Sequence, residues 1–162
     1  MIGPRPSISG DDPIELSPPR WWHLETLASL DAELFDPDVW SLETFWAELA
    51  APGRTYVIAH PQGRDEEILG YAGLAVSGSE ADVQTIAVAP SAQGRGLGRT
   101  LLTALIEAAT GQGARHLMLE VRADNVPAIT LYNALGFTRI AVRRGYYQPG
   151  GIDAHIMRLT VR

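Results

Sequence analysis

The sequence predicts a mixed α/β domain of the α+β kind, with a central, mostly antiparallel sheet of about six or seven strands and about four flanking helices. Short β-prone runs bounded by Pro, Gly and polar clusters recur from residue 14 to residue 160. Between them lie leucine-rich segments with helical spacing, most clearly Leu97, Leu101, Leu102, Leu105, Ala108 and Ala109. Residues 55–59 and 68–76, joined by the polar turn at 61–67, read as an antiparallel pair.

Taken in order, residues 1–12 are rich in Pro, Ser and Gly and read as a flexible leader, with 13–162 as a single folded domain. Ile14, Glu15 and Leu16 suit a first short strand. Ser17 suits a helix N-cap with Pro18 at the first helical position, ahead of a stripe of Leu24, Leu27, Leu30 and Leu34. Asp36-Pro37-Asp38 breaks that helix, and Ser41 opens another to about Leu49, ended by Pro52-Gly53. After the antiparallel pair come a strand at 82–88, a glycine-rich turn, and a long helix to about Thr110. Residues 115–121 alternate as a strand, Leu117 and Leu119 on one face and His116, Met118 and Glu120 on the other. Asn125 caps a helix over 126–135, Gly136 serves its C-terminal turn, and strands at 137–143 and 154–160 close the chain.

Composition narrows the function classes. With 162 residues, 46% hydrophobic and 20% charged, the chain is an ordinary globular protein able to bury a core without staples. It has no apolar run near ~18 residues, and its first residues lack a signal-peptide core, so neither a membrane span nor secretion is expected. Zero cysteines exclude disulfides, cysteine-ligated zinc and a cysteinyl acyl-enzyme, and agree with a cytoplasmic setting. A formal charge of −6 argues against general nucleic-acid binding but is compatible with a basic protein substrate. His23, His60, His116 and His155 are scattered without metal-ligand spacing, so no metal is expected. No Gly-x-Ser-x-Gly elbow is present, which disfavours a serine hydrolase.

The Gln-Gly-Arg-Gly-Leu-Gly run from Gln93 to Gly98 sits between a strand and a helix. Free N–H groups of a first helical turn, the helix dipole and missing side chains together suit a phosphate. A P-loop fails because Arg99 precedes Thr100 and Gln93 stands at the first glycine position. A dinucleotide fingerprint fails because Arg99 replaces the third glycine. The remaining pattern, Gln/Arg-x-x-Gly-x-Gly/Ala, is filled by Gln93, Gly96 and Gly98 and resembles the pyrophosphate loop of the GNAT superfamily of acyl-CoA-dependent N-acyltransferases. Taken alone, the run equally fits a tight strand–helix turn without a ligand.

Two downstream segments extend the resemblance: Leu119-Glu120-Val121-Arg122 followed by Asn125, then Ala128-Ile129-Thr130-Leu131-Tyr132 leading to Gly136-Phe137. Together with Arg143-Arg144-Gly145-Tyr146-Tyr147, Asp153-Ala154 and Met157, they are similar to the RimI branch of GNAT enzymes, over about residues 83–159. The resemblance implies the GNAT fold, acetyl-CoA as cosubstrate, and direct transfer to the N-terminal alanine of a small-subunit ribosomal protein. It implies Glu120 as general base, Tyr132 as general acid and Asn125 as the contact to the pantetheine arm. It further implies that the backbone of Ile86, Ala87 and Val88 pairs with that arm, and that Gly94, Arg95, Gly96, Leu97, Gly98 and Arg99 cradle the pyrophosphate. Binding to nucleic acid or membrane is not expected, and a monomer is.

These residue types suit the chemistry. An α-amine with a pKa near ~7.7–8.0 is largely protonated at neutral pH and needs a base. A carboxylate can take that proton directly or through a water, and a phenol can protonate a departing thiolate. The developing oxyanion would meet a backbone N–H, that of Val88. Singly, each residue has a plainer reading. Glu120 fits a sheet-end carboxylate paired with Arg122 or Arg115, Tyr132 a core tyrosine, Asn125 a helix cap, and Arg95 and Arg99 solvated helix-start charges. On the acceptor side the segments at 35–46 and 143–153 are the ones to examine. Tyr146 and Tyr147 fit either a groove wall or hairpin packing, and Trp21, Trp22 and Trp46 read as helix-packing residues. Two other readings stay open: transfer to a lysine or small-molecule amine, and a non-catalytic acyl-CoA-binding module.

Overall fold

The computed structural model describes residues 12–36 and 38–162. The expected leader therefore lies outside the described residues except for Asp12. Among the described residues seven strands are formed: β1 (Ile14–Ser17), β2 (Arg54–Pro61), β3 (Gly70–Ser77), β4 (Glu80–Val88), β5 (His116–Arg122), β6 (Thr138–Tyr147) and β7 (Ile152–Thr160). They join one sheet in the order β1-β2-β3-β4-β5-β7-β6. Every neighbouring pair is antiparallel except β4 and β5, which run parallel. Four α-helices among the described residues flank the sheet: α1 (Leu24–Phe35), α2 (Leu42–Ala50), α3 (Leu97–Gly111) and α4 (Val126–Ala134).

Side-chain alternation along the strands divides the interior into two cores. On one face Ile58, Tyr71 and Ala87 meet Leu24, Leu27 and Leu30 of α1 and Phe45 of α2. On the other, Ala59, Ala72 and Leu74 pack under Leu101, Leu102 and Leu105 of α3, with Tyr132 of α4 and Phe137 alongside. Leu101, Leu102 and Leu105 are sealed from solvent; each such side chain contributes about 1.5–3 kcal/mol of burial.

Helix starts follow their caps. Ser41 Oγ accepts from the Thr44 N–H at 3.1 Å and opens α2, and Asn125 Oδ1 accepts from the Ala128 N–H at 3.2 Å and opens α4. The expected cap at Ser17 is corrected. Ser17 ends β1 opposite Ile58, its Oγ bonded to His60 Nε2 at 2.7 Å. Pro19 holds Pro18 out of the helical region, so the helix waits until Leu24, after a short 3₁₀ turn over Trp21–His23. The packing role expected of three tryptophans is also corrected: Trp21, Trp22 and Trp46 are 67%, 55% and 51% exposed. The helix contacts are made by leucines and Phe45 instead.

One irregularity positions the site. β4 and β5 pair only over Glu80–His116, Ala81–Leu117 and Asp82–Met118. Beyond that, the β3–β4 register slips between Gly73 and Leu74, which face Thr85 and Val83, so Gln84 is the extra, bulged residue. A bulge bends and twists its strand. Here it carries the second half of β4 away from β5 and splits the sheet.

Candidate active site

The split leaves the outer edge of β4 without a strand partner. The Ala89 N–H donates to the Leu69 carbonyl at 2.8 Å, toward β3. Backbone groups alternate sides along an antiparallel strand, so those of Ile86 and Val88 point the other way, into the split. The Val88 carbonyl meets the Gln93 side chain there, Nε2 to O at 3.2 Å, which folds the glycine turn back onto the strand end. Ala87, between them, turns its backbone to β3 and buries its side chain against α1 and α2.

The glycine turn then enters α3. Gly94 and Gly96 take φ of 78° and 75°, a left-handed backbone that favours glycine, and a Cβ at either would meet only open space. Gly96 is the N-cap of α3, and its carbonyl accepts the first intrahelical bond, from the Thr100 N–H at 3.1 Å. The preceding N–H groups, of Leu97, Gly98 and Arg99, are those a helix start leaves without an intrahelical partner. The Leu97 side chain is buried in the α3 core, while Arg95 and Arg99 are exposed. Gly98 lies close to Leu131 of α4, which brings the turn beside the helix that Asn125 caps. These features leave an open, side-chain-free turn and the N–H groups of a helix start just beyond the end of β4.

At the split itself, Ile86, Glu120, Asn125 and Tyr132 line one hollow of about 590 Å³. A second hollow of about 910 Å³ shares Asp38, Trp40, Glu120 and Tyr147 with it and adds Asp82, Tyr146 and Gln148. The segments expected on the acceptor side therefore meet at Glu120, with Tyr146 and Tyr147 serving as wall residues. The two rings also pack edge to face, 5.1 Å apart. Residues 94–99 do not line either hollow. They stand beyond the end of β4, and Arg95 borders a separate hollow of about 70 Å³.

Local electrostatics distinguish the two candidate proton-transfer groups. Tyr132 is 7% exposed and burial pushes its phenol up to about 12, so it holds its proton throughout the neutral range. Glu120 is 37% exposed on its side chain and receives Arg143 Nη1 at 2.9 Å. That partner differs from the Arg122 or Arg115 expected for a plain sheet-end carboxylate. Arg122 instead grips Asp124 and lies 5.3 Å from the centre of the Tyr147 ring, while Arg143 lies 4.4 Å from that of Tyr146. Loss of solvent, then the charges of Glu80 and Glu120, push the Asp82 carboxyl above its ordinary range. Asp38, Asp82 and Glu120 thus make the larger hollow acidic.

Some participants escaped the sequence reading. Gln84 and Asp82 gave no motif, and Arg143 gave no sign that it reaches Glu120 across the sheet. Asp31 did leave a trace, a charged residue on the apolar stripe of α1. Among the described residues no group of three or more His, Cys, Asp or Glu could hold a metal ion, and no helix is long and apolar enough to cross a membrane.

A bulge thus splits the parallel strand pair, a glycine turn opens the helix beyond it, and a carboxylate and a protonated phenol share the cleft between. Residues 20–137 match the model of the Acetyltransferase (GNAT) family, and the chain belongs to that family. Among its relatives, N-alpha-acetyltransferase RimI of Mycobacterium tuberculosis is 44% identical over 81% of this chain and 82% of its own length. The [ribosomal protein bS18]-alanine N-acetyltransferase of Salmonella typhimurium is 40% identical over 75% and 81%. The crystal structure of the ribosomal-protein-S18-alanine N-acetyltransferase from Escherichia coli superposes with a TM-score of 0.81 at 32% identity, covering 91% of this chain and 94% of that one.

Proposed function

We propose that this chain transfers the acetyl group of acetyl-CoA to the α-amine of an alanine-starting protein, a ribosomal protein of the small subunit as for its relatives. The observation that carries the reading is that Glu120 and Tyr132 open onto one cleft with Asn125 and the free edge of β4. The split-facing backbone groups of Ile86 and the N–H of Val88, whose carbonyl Gln93 holds, suit a pantetheine arm and its thioester, and the amide of Asn125 keeps donors free after capping α4. The glycine cradle, with Arg95 and Arg99 at its rim, suits the pyrophosphate.

In this reading the acidic hollow attracts the acceptor's ammonium and Glu120 exchanges Arg143 for it. Glu120 takes the amine proton, directly or through a water. The freed amine nitrogen bonds the thioester carbonyl carbon, and the Val88 N–H stabilises the oxyanion. As the C–S bond breaks, Tyr132 gives its proton to the sulfur and the adduct nitrogen releases its surplus proton to solvent, leaving amide and thiol. Solvent exchange then returns the proton from Glu120 to Tyr132. Holding amine and thioester together contributes on the order of 7–11 kcal/mol, comparable to or larger than either proton transfer.

A peptide panel with acetyl-CoA, read by thiol release and by mass spectrometry of the product, tests this. Acetyl on the α-nitrogen of Ala-starting peptides is the expected outcome. Transfer to the lysine ε-nitrogen or to small amines alone would overturn the acceptor, and tight CoA binding without any transfer would overturn the activity.

A further inference from the structure

Asp31 is a carboxylate at a position where α1 calls for an apolar side chain. The spacing puts Leu24, Leu27, Asp31 and Leu34 on one face of the helix, and Asp31 is 1% exposed. A charge so deeply buried is retained only where donors satisfy it. Both oxygens are satisfied, and by groups outside α1. Oδ1 accepts from the Tyr71 hydroxyl on β3, and Oδ2 accepts from the backbone N–H of Trp40 at 2.6 Å. Ring contacts close the circuit, Trp40 on Phe45 at 5.3 Å and Phe45 on Tyr71 at 5.8 Å. One carboxylate therefore joins α1, the strand beside β4, and the loop between α1 and α2.

That loop walls the acceptor side of the cleft. Asp38 and Trp40 line both hollows, and Asp31 itself reaches the edge of the smaller one. Connecting loops move unless something outside them holds their backbone. A charge-assisted bond to a buried carboxylate is a strong hold. Glu120 and Tyr132 have no part in it.

We propose that Asp31 is a positioning residue for the acceptor: its carboxylate fixes the Trp40 backbone, and with it the wall at 38–41 against which the incoming amine's chain is held. This rests on the reading of the cleft as the site of acetyl transfer. The test is Asp31→Asn, which keeps the side-chain shape but leaves a single acceptor for two donors, with Tyr71→Phe as a second variant that cuts only the sheet end. Steady-state rates with an alanine-starting peptide and with acetyl-CoA varied separately are combined with amide hydrogen exchange at Trp40. For Asp31→Asn the peptide KM is expected to rise about tenfold and Trp40 exchange to quicken about tenfold, while kcat and the acetyl-CoA KM stay within about twofold. Tyr71→Phe is expected to shift the peptide KM the same way by about threefold, and decides the matter if Asp31→Asn fails to fold. An unchanged peptide KM in both variants, or KM values for the two substrates rising together, overturns the role of Asp31 alone. A wild-type protein that transfers to no peptide overturns the underlying acceptor reading and this role with it.

Discussion

At the residue scale, their surroundings suit Glu120 and Tyr132 to the opposite tasks proposed for them, base and acid. Glu120 sits on β5 beyond its pairing with β4, and its ion-pair partner among the described residues is an exposed arginine that an incoming ammonium can replace. Tyr132 is enclosed, and burial holds its proton until about pH 12. Glu120→Gln keeps the shape and removes the base, so kcat should fall by about 10²–10⁴-fold with little change in acetyl-CoA affinity. Tyr132→Phe removes the acid and should lower kcat over the same range. Isothermal titration with CoA beside the rate measurement separates loss of chemistry from loss of binding, and wild-type rates in both variants would sink the assignment. The raised phenol also fixes a sign. A general acid works while protonated, so Tyr132 should impose no alkaline decline on kcat below roughly pH 11. An ordinary phenol, near 10.0, would begin to fail about two pH units sooner. A pH–rate profile on stopped samples, with stability checked at each pH, reads this directly.

At the scale of elements, the turn into α3 is the part proposed to hold the donor. Gly96 has φ of 75° and nothing near its missing Cβ, so Gly96→Ala meets no clash and only the cost of a left-handed backbone, about 1–2 kcal/mol. Refolding of the turn to escape that strain would displace the first-turn N–H groups. The acetyl-CoA KM should rise several-fold with the peptide KM unchanged, and the melting temperature should fall by about 2–8 °C; a parallel change in both KM values would argue against a donor cradle. Elements of this kind were legible in the sequence, because their signals are local. Ser41 and Asn125 cap the helices they were expected to cap, and the α3 leucines are the core. Signals that compete locally misled: Ser17-Pro18 resembles a helix start, but Pro19 forbids one there. The split of β4 from β5 was not legible from the residues themselves, since it depends on register with β3 and on the bulge at Gln84. The Arg143–Glu120 pair spans two strands paired through β7, and no sequence spacing encodes it. Asp31 was readable as an exception to the leucine stripe, but its partners on β3 and in the loop were not.

At the scale of the whole molecule, the split sheet lies between two cores, and each core encloses a tyrosine. Tyr71 lies within the α1–α2 core, Tyr132 of α4 within the core under α3, and Tyr56 is buried on β2 with its hydroxyl on Glu48 at 2.8 Å. Burial raises all three phenols, and the carboxylates of Asp31 and Glu48 raise Tyr71 and Tyr56 further. A group whose folded value lies above its unfolded value stabilises the fold fully below the unfolded value, near 10.0, and loses that contribution as pH climbs toward the folded value. For Tyr132, between 10.0 and about 12, the contribution at stake is on the order of 2–3 kcal/mol. The unfolding free energy in urea should therefore stay level with respect to these groups to about pH 9 and fall steeply above pH 10. Tyr132→Phe carries no ionisable group at that position, so its decline across the same window should be shallower than that of wild type, whatever its stability at neutral pH. Parallel declines in the two proteins would mean that the Tyr132 proton is not held by the fold, and a phenol so loosely held would be poorly poised to protonate a departing thiolate.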